Sequence, residues 1–225
     1  MMKWDAQLRV VEPVKSDAHP VLREVPAPSR IRMAAPLETL TPYIPVSSQP
    51  AIEALSGRTP IFKLDWNEST IAPSPRVEKA ISKFISGGAA LNWYPELGSK
   101  NLRLALSDYT GLRPEHLLVT SGSDDALGLV CQSYLDPGDE VVIPVPTYNH
   151  FVVFAQSRGA HVKTVFAKDA FQPNIREVRA AIGPDTRMVY LVSPNNPTGV
   201  LAMPEEVEAL CRDYPETLIV VDEEY

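Results

Sequence analysis

The stretch from Met188 to Val200 reads MVYLVSPNNPTGV, and an acidic, helix-length segment then leads into LIVVDEEY, Leu218 to Tyr225. Two apolar runs, Met188–Val192 and Leu218–Val221, each end abruptly in polar residues. Short runs rich in Val, Ile and Leu suit strands buried on both faces of a parallel sheet. The segment between them has the length that a crossover helix requires. In open sheets of this kind ligands sit beyond the carboxyl ends of the strands. Ser193, Asn195, Asn196, Asp222 and Tyr225 fall at that edge. An acid at the tip of an apolar strand is costly to bury unless something positive or proton-donating meets it. A protonated ring nitrogen is such a partner.

Upstream, the same alternation of strand and helix extends back to Leu117. Apolar runs predict strands at Leu117–Thr120, Glu140–Ile143 and His161–Phe166. Helices are expected from Ala126 to Leu135 and after Asn174, whose partner Glu177 stands three residues on as a first-turn acid. Pro144 and Pro146 are expected to stop the second of these strands, Glu140–Ile143, with Tyr148 opening a helix. Repeated strand–helix alternation gives an α/β class, a mainly parallel sheet with helices on both faces. The turn Ser121-Gly122-Ser123-Asp124 joins a strand to a helix start. Free backbone N–H groups and the helix dipole there form an anion site, typically for phosphate. Many such turns contain Gly-Ser without binding anything, so the turn alone is a weak signal.

Further upstream, Ser74 is a good N-cap and Pro75 suits the first helical position. Val77, Ala80, Ile81, Phe84 and Ile85 then share one helical face up to Gly87-Gly88. A second helix is expected from about Ser99 to Gly111, with Leu102, Ala105, Leu106 and Tyr109 facing inward. Between them NWYPELGS, Asn92–Ser99, reads as a turn built on Pro95 and Gly98. Ile61–Trp66 suits a strand or an extended arm. Residues 1–36 carry five prolines with charges of both signs and little periodicity, the pattern of an unstructured extension. Three segments follow: the extension 1–36, an arm over 37–72, and a large domain over 73–225.

Composition narrows the function. Hydrophobic residues make up 44% and charged residues 22%, ordinary for a globular protein. A formal charge of -7 argues against a sequence-independent grip on nucleic acid. No uninterrupted apolar stretch is long enough to span a bilayer, so no membrane partner is expected. The N-terminus lacks the basic-then-apolar order of a secretory signal, which suits a cytoplasmic protein. Cys131 and Cys211 fall among apolar helical positions and read as two reduced core thiols. The four histidines form no ligand pattern, and no metal is assigned.

SGSDDAL, PTYNH, SPNNPTG and VVDEEY, in this order and spacing, resemble the fold-type I pyridoxal-phosphate aminotransferases. LTPYIPV, KLDWNES and NWYPELGS narrow the resemblance to the histidinol-phosphate aminotransferase group. It covers about Leu37 to Tyr225. The resemblance implies a truncated large domain plus an N-terminal arm, and pyridoxal 5'-phosphate as cofactor. It also implies a small-molecule amino donor and a 2-oxo acid as substrates, and a homodimer at full length. Gly122, Ser123 and Asp124 resemble the cup for the cofactor phosphate, and Tyr148 the ring stacked on the pyridine face. Asn196 and Tyr225 resemble the pair at the phenolic oxygen, and Asp222 the carboxylate at the pyridine nitrogen. Tyr94 resembles the tyrosine that reaches a neighbouring subunit's cofactor phosphate.

Three positions depart from the family pattern. Glu224 stands where a small residue is common, Asn67–Thr70 reads NEST in place of NENP, and Asp125 replaces a common Glu. None of the lysines sits in the motif of the family's Schiff-base lysine. The resemblance therefore implies cofactor-binding residues, no catalytic residue within these 225, and negligible turnover by this chain alone. Alternatives are a threonine-phosphate decarboxylase-like enzyme, which shares this cofactor half, and a non-catalytic remnant serving as a binding module. A nucleotide-binding Rossmann protein is disfavoured, because no G-x-G-x-x-G follows the first clear strand.

Overall fold

Four parallel strands carry the core, and each is one of the apolar runs. In the computed structural model, residues 9–10, 23–24, 32–38, 40, 48–59, 61, 67–69, 71–88 and 91–225 are described. The chain divides into two units, 1–40 and 41–225. In the first, β1 (Arg9–Val10) pairs antiparallel with β2 (Arg23–Glu24), and a short helix α1 spans Ala35–Glu38. Most of LTPYIPV, and residues 62–66 of the expected strand or arm, lie outside the described residues.

The second unit opens with α2 (Gln49–Ser56), α3 (Pro75–Ser86) and α4 (Lys100–Thr110). Then come α5 (Ser123–Tyr134), β3 (Glu140–Val145), α6 (His150–Ser157) and β4 (His161–Phe166). The unit continues through α7 (Ile175–Ala181), β5 (Thr186–Val192), α8 (Pro204–Asp213) and β6 (Leu218–Asp222). The sheet order is β4-β3-β5-β6, every pair parallel. The fold is therefore the expected α/β class, a parallel sheet with helices on both faces.

Side-chain alternation assigns the two faces. Val141, Ile143, Met188, Tyr190 and Val192 pack with Leu127 and Cys131 of α5 and with Phe151 and Ala155 of α6. Val142, Val189 and Leu191 pack on the opposite face with Ile175 and Val178 of α7 and Leu210 of α8. Buried aliphatic side chains of this size each stabilise by about 1.5–3 kcal/mol against exposure, before ordering costs. Leu218 and Val220 of β6 join the α5/α6 face, so the same alternation puts Asp222 there too.

Several expectations fail for want of a neighbour. Residues 117–120 form no strand: a 3-10 turn at Pro114–His116 leads into irregular chain, and Leu118 is 74% exposed. A strand exists only through its ladder, and none of the described strands lies beside it. On α4, Leu102, Ala105 and Tyr109 face outward and only Leu106 is half-buried. The sheet's two faces are already covered by α5 to α8, which leaves that stripe nothing to pack on. On α3 the stripe Val77, Ile81, Phe84 and Ile85 is exposed for the same reason, although the Ser74 side chain caps the helix as expected.

Cys131 is in the core but Cys211 is exposed, because α8 buries Leu210 and the next residue turns about 100° away. Pro144 lies inside β3 opposite Val165, and Tyr148 precedes α6 rather than opening it. No helix among the described residues is long and apolar enough to cross a membrane.

Candidate functional site

The chain leaves β3 for β4 on one flank of the sheet and leaves β5 for β6 on the other. Their carboxyl-end loops therefore part, which opens a crevice at the point where ligands collect in open sheets. Asn195 ties the two loops together. Its Nδ2 donates to the Pro146 carbonyl at 3.0 Å and to Thr198 Oγ1 at 2.7 Å. Thr147 Oγ1 donates to Asn195 Oδ1 at 2.6 Å. The loop is also closed by the Asn195 N–H, which donates to the Val200 carbonyl at 2.7 Å. Sequence reading put Asn195 at this edge without a role; its clamp spans positions 48 apart, beyond local pattern.

Asp222 ends β6 opposite Val192 and is only 7% exposed. The fully buried Tyr190 donates its Oη to Asp222 Oδ2 at 2.8 Å. Burial first, and then the hydrogen bond to Asp222, push the Tyr190 hydroxyl well above its usual range, so it stays protonated and donating. Among the described residues Oδ1 of Asp222 accepts no hydrogen bond. Tyr190 was not singled out from sequence. The available signal was a phenol inside an apolar strand, which must find an acceptor when buried.

Gly122 caps α5 with φ +82°, a left-handed conformation that strains any residue with a Cβ, and no side chain caps the helix there. Asp125 Oδ2 accepts from the Ser121 N–H at 3.0 Å, and Thr120 Oγ1 donates to the Gly122 carbonyl at 2.8 Å, so the turn is braced. The Asp124 carboxylate lies 2.8 Å from His150 Nδ1, and Tyr148 Oη donates to its other oxygen at 3.4 Å. Tyr148 is half-buried against the core cluster. His150 is a second residue that the sequence reading passed over; its position two after Tyr148, on the first turn of α6, was the signal.

Asn196 and Tyr225 come together on the neighbouring loop. Asn196 Nδ2 donates to Tyr225 Oη at 3.3 Å, and Asn67 Nδ2 donates to the same oxygen at 2.8 Å. Pro194, Asn195, Pro197 and Gly199 complete the cleft around these three. Tyr94 stands apart. It is 97% exposed, and among the described residues no hydrogen bond joins it to the others.

The comparisons agree with one another. The family described as "Aminotransferase class I and II" matches residues 59–225. Histidinol-phosphate aminotransferase of Sphingopyxis alaskensis is 35% identical over 187 residues, covering 83% of this chain and 49% of that protein. The crystal structure of histidinol-phosphate aminotransferase from Sinorhizobium meliloti, in complex with pyridoxal-5'-phosphate, superposes with a TM-score of 0.75 and 27% identity. That match covers 88% of this chain and 51% of the other. A double mutant of Thermus thermophilus aspartate aminotransferase gives a TM-score of 0.71 at 29% identity, covering 87% and 54%. The chain spans about half the length of the curated relatives it matches.

Proposed function

This chain belongs to the class I and II aminotransferases, and from that premise we propose that it supplies cofactor-binding residues of a histidinol-phosphate aminotransferase-like enzyme. The cofactor is pyridoxal 5'-phosphate. The reaction of the whole protein moves an amino group between an amino compound and a 2-oxo acid. One observation carries the reading: Asp222 is buried at a strand tip with Oδ2 held by Tyr190 and Oδ1 left to accept from something else.

Two features of the site fit this group. A carboxylate on a residue only 7% exposed, with one oxygen that accepts no hydrogen bond among the described residues, suits a pyridinium N–H. An uncapped helix N-terminus behind a left-handed glycine suits a phosphate. On this reading the backbone N–H groups of Gly122, Ser123 and Asp124 hold the phosphate. The Asp124 side chain would repel a phosphate, but His150 and Tyr148 draw it to their side. Tyr148 supplies an aromatic face to the ring, and Asn196 and Tyr225 address its phenolic oxygen.

Bound there, pyridoxal phosphate supplies an electron sink for negative charge developing at the substrate α-carbon. Asp222 keeps the proton on the ring nitrogen, and its shielding from water strengthens that hold. Tyr190 orients the carboxylate for the task. We assign the residues of this chain binding and orienting roles, with no covalent or proton-shuttling step. Tyr94, exposed in its turn, reaches the cofactor phosphate of a second subunit in a homodimer.

The test is titration with pyridoxal phosphate. Asp222→Asn weakens binding at least about tenfold, the worth of a charged hydrogen bond, with an unchanged far-UV circular dichroism spectrum. Equal affinity in a folded variant contradicts the reading.

A further inference from the structure

Tyr225 Oη receives two hydrogen bonds, from Asn67 Nδ2 at 2.8 Å and from Asn196 Nδ2 at 3.3 Å. A phenol carries one O–H donor and two acceptor lone pairs. Two amide donors fill both lone pairs. The proton of Tyr225 then cannot turn toward either amide, and the hydroxyl is committed to donate to a third group. That group is an acceptor, and the cleft formed by Asn67, Pro194, Asn195, Asn196, Pro197, Gly199 and Tyr225 offers a place for one.

We propose that Asn67 is a positioning residue that fixes Tyr225 as a hydrogen-bond donor toward an oxyanion in this cleft. The inference rests on the reading above, in which that acceptor is the phenolic oxygen of pyridoxal phosphate. Asn67 has no contact with the acceptor to perform; it acts through Tyr225. Its backbone supports the role. Asn67 sits at φ +53°, a left-handed conformation that Asn accepts more readily than other residues with a side chain. The conformation aims a short amide from the segment 67–69 at a tyrosine 158 positions away. Clamping that segment to the site is a second consequence: Asn67 is held where it lines one wall of the cleft.

The backbone also dictates the variants. Asn67→Gly removes the amide at a φ that glycine accepts without strain. Asn67→Asp keeps the shape and the left-handed tolerance but offers an acceptor in place of a donor, so Tyr225 turns its proton to Asp and away from the ligand. The first measurement needs no cofactor. In protein labelled with 13Cζ-tyrosine, the resonance absent from Tyr225→Phe belongs to Tyr225. Asn67→Gly shifts that resonance, and a resonance left unmoved overturns the proposal.

The second measurement is the dissociation constant for pyridoxal phosphate. Tyr225→Phe weakens binding about tenfold, Asn67→Gly about fivefold, and Asn67→Asp more than Asn67→Gly. In the Tyr225→Phe background, Asn67→Gly adds less than about twofold, because there is no hydroxyl left to orient. Independent, multiplying effects of the two substitutions, or an Asn67→Asp variant that binds as well as the parent, overturn the proposal. If the parent binds and Asp222→Asn leaves its affinity unchanged, the cofactor assignment fails instead. That outcome is separate from the tyrosine resonance, which reports on Asn67 alone.

Discussion

Tyr190 Oη lies 2.8 Å from Asp222 Oδ2, joining two adjacent parallel strands on the face that also carries the α5 turn. The phenol is stacked at 4.0 Å on Phe151, so its ring is fixed independently of its hydroxyl. Tyr190→Phe therefore keeps the packing and leaves a buried carboxylate without its donor. The expected loss in urea denaturation at neutral pH is about 1–3 kcal/mol.

The same bond sets an alkaline limit. The folded pKa of Tyr190 is raised by burial and by Asp222, so its contribution to stability is complete below the unfolded tyrosine value. Above about pH 10 the unfolded chain sheds the proton while the folded chain retains it. Stability falls with rising pH in that window. Denaturation midpoints between pH 9 and 11 should fall less steeply for Tyr190→Phe than for the parent.

At the other end of the sheet, Arg179 of α7 donates to Asp213 at the end of α8, and Tyr214 Oη donates to the Arg179 carbonyl at 3.1 Å. The hydrogen bond from Arg179 holds the Asp213 carboxyl below its usual range. Its contribution is present above the unfolded aspartate value and is lost as pH falls through the folded one. Asp213→Asn should be slightly less stable than the parent at pH 7, and the two should converge as pH falls through the lowered folded value. A gap that persists in acid would assign the effect to packing.

The thiols separate cleanly. Burial pushes Cys131 up to about 12, whereas Cys211 is exposed on α8. Iodoacetamide at pH 8 should add one label to the native chain, at Cys211, and a second only on unfolding. Peptide mass spectrometry reads the result directly.

Apolar residues with nothing packed on them give a further expectation. Phe84 is 66% exposed on α3, in line with Val77, Ile81 and Ile85. A stripe of this kind promotes association in water. Phe84→Lys combined with Ile81→Glu should reduce light scattering at a given concentration and leave the sheet intact by circular dichroism.

The strands were legible because burial on both faces writes itself into composition. His161–Phe166 matches β4 residue for residue, and Met188–Val192 lies wholly within β5. Ser74 and Pro75 marked the start of α3 through purely local chemistry. Leu117–Thr120 misled because β-branched and apolar content signals readiness to pair, and pairing depends on a neighbour that local sequence does not reveal. The stripes of α3 and α4 misled in the same way. At the site, Asp222, Asn196 and Tyr225 could be named because strand ends and loops locate them. Tyr190, His150 and Asn67 could not, since their meaning lies in register or in contacts across long separations. The Asn67–Tyr225 bond spans 158 positions.

The central claim is that Asp222 holds a proton on a pyridine nitrogen. Pyridoxal phosphate labelled with 15N in the ring reports that proton through its chemical shift. With the parent protein the account predicts a protonated ring nitrogen at neutral and mildly alkaline pH, and with Asp222→Asn a neutral one. An identical 15N shift in the two complexes would contradict it.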